Sequence, residues 1–481
     1  MNGRRARWWL AVAVLVGGVA AAATLWWWHE TAREQAVVAA SLPPRPDLSG
    51  LSADLLQRIS GCEQRARTGP GRTAALAELS RLYHANGFLA EASRCYEGLL
   101  QVDSTNPLWP HRLANIVAGY GDLDEAMPLL RRAVALAPAY GPARLRLGDA
   151  LLKMNQNAEA AKVYGAVLER EPGNPYALLG LARLDVDAGR WEEARTRLEP
   201  VVAQTKYTVG YDLLPTVYEH LGQADRAVAI RARMKASGAF ADMLDPWMDE
   251  LIDDCYSTYR LSVAAGTAQH RDDAKGAINL LQRAISLSPD SGPLQFQIGL
   301  IYFEQRNYTD ARQHLERCTV LTPDFPDGWA YLTKLYTTVG DATSARRVLA
   351  GGLARCPRSP GLRLEHGRQL SAAGQFAEAI PELEESIRLR PEEADAYVEL
   401  AKVYFQLNRV DEGVAELHRA LRVEPEHPTA LTTLALYSIS TGDETAARAW
   451  LRRVQLQVRT QRETADALFQ AFTQRFGRAP W

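Results

Sequence analysis

Residues 292–325 read GPLQFQIGLIYFEQRNYTDARQHLERCTVLTPDF, and residues 326–359 read PDGWAYLTKLYTTVGDATSARRVLAGGLARCPRS. Laid over one another, with 360–393 and 394–427 beneath, the four stretches keep one register across 34 columns. Column 7 holds Ile298, Leu332, His366 and Leu400, and column 8 holds Gly299, Thr333, Gly367 and Ala401. Column 11 is Tyr302, Tyr336, Leu370 or Tyr404; column 20 is Ala311, Ala345, Ala379 or Gly413. Column 24 is leucine throughout, and column 32 is Pro323, Pro357, Pro391 or Pro425. Self-similarity held this long at a fixed period marks a repeat architecture, and the period indicates its kind.

The columns have a physical meaning. Apolar residues at 4, 7, 8 and 11, then at 20, 24 and 27, carry the spacing of two amphipathic helices. A break such as Val339-Gly340-Asp341 separates them, and small residues at columns 8 and 20 let the two helices approach closely. Proline at column 32 stops the second helix, because it lacks a donor and clashes with the preceding turn. One such hairpin cannot bury its own apolar face, so it must stack on neighbours. On these columns the sequence resembles the tetratricopeptide repeat family, which implies an all-α solenoid, a superhelix of helix-turn-helix repeats.

Carried backwards, the ruler opens repeats at 73, 107, 141 and 175, with alanine at column 20 in each (Ala92, Ala126, Ala160, Ala194). A fifth, from about 208, is degenerate, with Pro215 in a column that should be small. The register then slips by fifteen residues near DMLDPWMDELIDDCYS, resumes at 258, and continues to a last repeat at 428. The expected organisation is therefore 73–241, about five repeats; 242–257, an insertion; 258–461, about six repeats, making about eleven of 34 residues; and 462–481, a capping helix and tail. The insertion's Asp249, Glu250, Asp253 and Asp254, with Trp247, form either a binding lip or a solvated surface. Residues 51–72 supply an N-terminal capping helix with Leu51, Leu55 and Ile59 on one face.

Residues 8–28, WWLAVAVLVGGVAAAATLWWW, contain no charge and are long enough to cross a bilayer core of roughly 30 Å. Arg4, Arg5 and Arg7 precede them, so the expectation for 1–28 is a cytoplasmic stub and one transmembrane helix, with a cleavable signal as the rival. That places the bulk of the chain in the periplasm as a single-pass bacterial inner-membrane protein. Residues 29–50, with Pro43, Pro44 and Pro46, are expected to be a tether.

Composition narrows the chemistry. Basic residues number 55 and acidic ones 57, so no global field favours nucleic acid. Five cysteines form no CxxC pair, and Cys62 and Cys95 could pair only if 52–67 folds back onto the first repeat. No catalytic motif or metal-ligand spacing appears, so no enzyme activity, cofactor or metal is expected. His366, in an apolar column, is expected in the core.

The resemblance also implies that the first helix of each repeat lines an inner groove, with columns 2, 5, 6, 9, 12 and 13 facing a ligand. Column 9 is Arg81, Asn115, Asp149 and Arg183 in the first block, and Lys334, Arg368 and Lys402 in the second. With Tyr331 at column 6 and Phe405 at column 12, this ladder suits a protein or peptide ligand that is acidic or ends in a free carboxylate. The alternative is that the ladder merely solvates the helix face or pairs with Glu365 and Glu399. The implied function is a membrane-tethered interaction scaffold, resembling anchored bacterial repeat proteins of envelope assembly or export. A non-catalytic accessory subunit of a glycan-synthesis or secretion complex is the other reading.

Overall fold

The computed structural model describes residues 2–203, 208–234, 243–455 and 458–481. Residues 235–242, where the expected first block ends and the insertion begins, lie outside them. Among the described residues all regular structure is helical, and each repeat is a pair of α-helices, such as Gly292–Glu304 with Tyr308–Leu321. The chain forms two compact units, one of residues 1–217 with 240–264, the other of 218–239 with 265–481. Within each unit the helix pairs stack on their sequence neighbours, which is the all-α repeat solenoid that the period implies.

Column 15 carries the turn. Gly87, Gly121, Asn155, Gly189, Gly222, Asp272, Arg306, Gly340, Gly374, Asn408 and Gly442 all have positive φ there, between the two helices of their repeat. One left-handed residue reverses the chain, and a cap then opens the second helix. Asp122, Asp273, Asn307 and Asp341 each accept a hydrogen bond from a backbone N–H in the first turn. Arg306 is the costly member of the set, at φ 59°, because a side chain in this region loses about 1–2 kcal/mol. Arg306→Gly should therefore stabilise the second unit by about 0.5–1 kcal/mol, after glycine's own chain entropy is subtracted. Urea unfolding measures it, and a lower midpoint would contradict the strain argument.

The close approach expected at column 8 is present. A Cβ on Gly367 would stand 2.5 Å from Leu383 Cγ, and one on Gly299 would stand 3.0 Å from Leu315 Cγ. Both leucines occupy column 24 and are fully buried. Each unit carries a capping helix on its terminal repeat. Ala53–Thr68, capped by Ser52, buries Leu55 and Ile59. Val458–Phe476 buries Ala465, Leu468 and Phe472 against the last repeat.

The N-terminal expectations need correcting. Asn2–Ser41 is one continuous helix, and its end lies on the Leu89–Val102 helix instead of forming a tether. Val38, Leu42 and Leu48 are buried there, Glu34 accepts from Thr73, and Arg94 donates to the Ala40 carbonyl. Gly98 makes room for Ser41, whose side chain would collide with any Cβ. Alanines at 32, 36, 39 and 40 sustain the helix where a sparse apolar pattern suggested extended chain. Among the described residues no helix is long and apolar enough to cross a membrane, which overturns the single-pass, periplasmic placement. The side chains at 10–14, 16, 17, 19 and 20 of the expected span lie outside the described ones.

All five cysteines are free. Cys62 and Cys95 share one buried cluster, since 53–68 does pack on the first repeat, and burial first, then the nearby Glu78 charge, pushes the Cys62 thiol up to about 12. His366 is not a core residue: it is half-buried, with Nδ1 3.4 Å from Glu382.

Candidate functional site

The insertion neither lengthens a repeat helix nor projects as a lip. Pro246–Asp249 is a single α-turn running into the 3₁₀ turn Glu250–Asp254, and the stretch lies against the first helices of the early repeats. Those helices are Arg72–Ala85, Leu108–Gly119 and Gly141–Lys153. Asp245 and Asp254 point inward and are buried, while Asp249, Glu250 and Asp253 are exposed.

Asp245 is the better-held carboxylate, its side chain only 2% exposed. His111 Nε2 lies 2.9 Å from its Oδ2, Arg146 Nε donates to the same oxygen at 2.9 Å, and the Tyr140 hydroxyl donates to Oδ1 at 2.7 Å. The Tyr140 hydroxyl also accepts from the Trp247 backbone N–H at 3.0 Å. The Trp247 indole stacks on Tyr140, centroids 3.6 Å apart and planes at 12°, with the His111 ring edge-on to both. Arg112, 1% exposed, grips the next group along: Nε and Nη2 donate to the Trp247 carbonyl at 3.0 and 2.7 Å, and Nη2 also reaches Glu250 at 2.7 Å.

At the far end Arg58 and Arg81 take one oxygen each of Asp254, at 2.8 and 2.9 Å. The Asn86 amide clamps the backbone on both sides of Cys255. Its Nδ2 donates to the Asp254 carbonyl at 2.9 Å, and its oxygen accepts from the Tyr256 N–H at 2.7 Å. Arg260 then donates to the carbonyls of His84 and Ala85, which end the Arg72–Ala85 helix. Carboxylates held by arginines, backbone held by an amide and a ring held by a ring are the elements by which proteins read a peptide.

Burial alone would raise the Asp245 carboxyl, but hydrogen bonds from His111 and Tyr140 and the Arg146 charge outweigh it and hold the group well below 3.8. A carboxyl lowered in the docked state releases its proton more readily than when undocked. Docking therefore keeps its full strength above about pH 5 and weakens as pH falls below about 4 toward the lowered value. A fluorine-labelled tryptophan at 247, followed by NMR from pH 6 to 2, should keep one environment to about pH 4 and lose it below. A shift beginning near pH 6 would contradict the assignment.

The residues singled out by sequence fall into distinct situations. Arg81 is engaged by Asp254. Asn115, its amide oxygen turned toward the guanidinium, accepts from Arg146 Nε and Nη1 at 2.9 and 3.2 Å, and so steadies the arginine that holds Asp245. Arg183 is half-buried and its charge bears on the half-buried Asp149. In the second unit Arg368 is spent on Glu365, Glu399 and Asp395 at 2.7, 3.2 and 3.1 Å, and Lys402 also pairs with Glu399. Phe405 is a packing residue, its ring filling the place a Cβ on Gly413 would take. Lys334 differs: it is exposed, 5.8 Å over the Phe303 ring and 5.6 Å over that of Tyr331, with Phe296 edge-on to Tyr331. Among the described residues no carboxylate lies within ion-pairing distance of it.

The residues that hold the segment and were missed by sequence are Arg58, Asn86, His111, Arg112, Tyr140 and Arg146. His111 is at column 5, and Arg112 and Arg146 are at column 6, both among the inward-facing columns, so applying the whole column set to the first block would have found them.

Tetratricopeptide repeat family models match residues 118–166, 156–206, 268–335, 370–422 and 398–466. The TPR repeat-containing protein PA0015 of Pseudomonas aeruginosa is 31% identical over 74 residues, which is 15% of this chain and 70% of that one. Among solved structures, yeast Tom70 shares 15% identity at a TM-score of 0.39, covering 83% of this chain and 95% of that one. The Cut9–Hcn1 hetero-tetramer of APC/C shares 12% at 0.42, covering 86% and 98%. The repeated columns, the left-handed turn in every hairpin and the matched segments agree: the chain belongs to the tetratricopeptide repeat family.

Proposed function

We propose that this chain is a protein–protein interaction scaffold whose inner repeat faces hold acid-rich protein segments. One observation carries the reading: the inner face of the first unit already holds such a segment, DPWMDELIDDCY, through arginines, a histidine and an asparagine clamp. The second unit offers a smaller version of the same chemistry. Lys334 over Phe303 and Tyr331 presents a cation beside aromatic rings, where an acidic residue next to an apolar one would fit. Arg368 and Lys402 add little there, since Glu365, Glu399 and Asp395 already neutralise them.

The test uses fluorescent peptides of defined composition and the full chain. Peptides alternating Asp or Glu with Trp or Leu should bind, lose affinity between 50 and 300 mM salt, and bind at least tenfold more weakly to Lys334→Glu. Equal binding of the same peptides with Lys for Asp and Glu, or no effect of Lys334→Glu, would refute the reading.

A further inference from the structure

The face that holds residues 245–256 recognises groups that any peptide of the same pattern would offer. Arg112 contacts a backbone carbonyl and the Glu250 carboxylate, Asn86 a backbone carbonyl and amide, and the rest meet two more carboxylates and one indole. Nothing in these contacts depends on the segment being covalently part of the chain. The hold combines these polar contacts with the buried side chains of Leu251 and Cys255 and with Tyr256 against the core, while Leu244 and Pro246 are exposed and Trp247 is half-covered. The fit is also incomplete, because His111 is fully buried and its Nδ1 has no hydrogen-bond partner. An empty face would leave Arg81, Arg112 and Arg146 without the segment's carboxylates and Arg58 with Glu78 alone, so it favours exchange of one acidic occupant for another over vacancy.

We propose that the inner face of the first unit is an exchangeable peptide site, whose resting occupant is the chain's own Asp245–Tyr256 stretch. Its ligand in trans is an acid-rich protein segment that presents an Asp-Pro-Trp turn followed by a further aspartate. This rests on the scaffold reading and deepens it, because the site is closed to weak ligands and opens to those that match the pattern. The tethered occupant acts at an effective concentration on the order of millimolar, so a free peptide must outcompete it.

The experiment titrates a labelled peptide spanning residues 243–257 into the full chain, and into the full chain carrying Asp245→Ala with Asp254→Ala. The doubly substituted chain should bind the peptide at least tenfold tighter than the unaltered chain, and a peptide with Asp245→Ala should bind neither. In the unaltered chain, excess unlabelled peptide should speed proteolytic cleavage within 245–256. That measurement decides alone if the double variant does not fold. Equal binding by the two chains together with unchanged cleavage would overturn the proposal, making the segment a fixed part of the fold. Should that happen while Lys334-dependent binding of acidic peptides persists, only this inference falls; if that binding is absent too, the scaffold reading falls with it.

Discussion

Replacing Asp245 by alanine should free the segment from the inner face, at a cost of about 3–5 kcal/mol in docking. The carboxylate is buried and meets His111, Arg146 and Tyr140 within 2.9 Å, so truncation removes its charge-assisted contacts and leaves their partners buried without it. Cleavage of a briefly opened segment follows the open population when closing is fast, so its rate should rise roughly a hundredfold or more. Glu250→Ala is the contrast. Glu250 also pairs with Arg112 but is 55% exposed, and its loss should change docking by about 0–1 kcal/mol. Similar cleavage rates in the two variants would show that Asp245 does not anchor the segment.

The second large effect lies in the core of the first unit. Column 24 is leucine in the second block but Tyr164 in the repeat opening at 141, and the larger ring is fully buried. It is accommodated by two glycines. A Cβ on Gly148 would stand 2.7 Å from the ring, and one on Gly180, in the next repeat, would collide with it. The hydroxyl donates to Asp149 at 2.5 Å, which fixes the ring in place. Gly180→Val should therefore cost about 3 kcal/mol in urea unfolding, by overpacking. Adding Tyr164→Leu should recover about 1–3 kcal/mol of coupling, even though Asp149 then loses its donor. Strictly additive losses would mean that the ring and the glycine do not share the space.

How far the sequence was legible follows from where periodicity applies. Helix pairs, turns and the small residues at column 8 follow from one ruler, because each repeat meets the same neighbours. Gly413 shows the ruler's limit: its column wants alanine, and only the ring of Phe405 explains glycine. The insertion had no ruler. Its acids and tryptophan carry the composition of a solvated surface, and Asp245 and Asp254 are buried only because Arg146, Arg81 and Arg58, far away in sequence, face them. Arg368 and Lys402 sat at the expected cationic column, yet glutamates and Asp395 on the same face neutralise them, which a column of one residue type does not reveal. Residues 29–41 misled in the opposite direction, since an alanine-rich helix needs few apolar residues to dock.

Backbone hydrogen exchange across residues 243–257 of the unaltered chain tests the central claim most directly. Docking as described ties the Trp247 amide to the Tyr140 hydroxyl, the Tyr256 amide to Asn86, and the Met248 and Asp249 amides to the Asp245 carbonyl. Those four amides should exchange far more slowly than in a free peptide of the same sequence, and should lose that protection in Asp245→Ala. Free-peptide rates in the unaltered chain, with the flanking repeat helices still protected, would contradict the account.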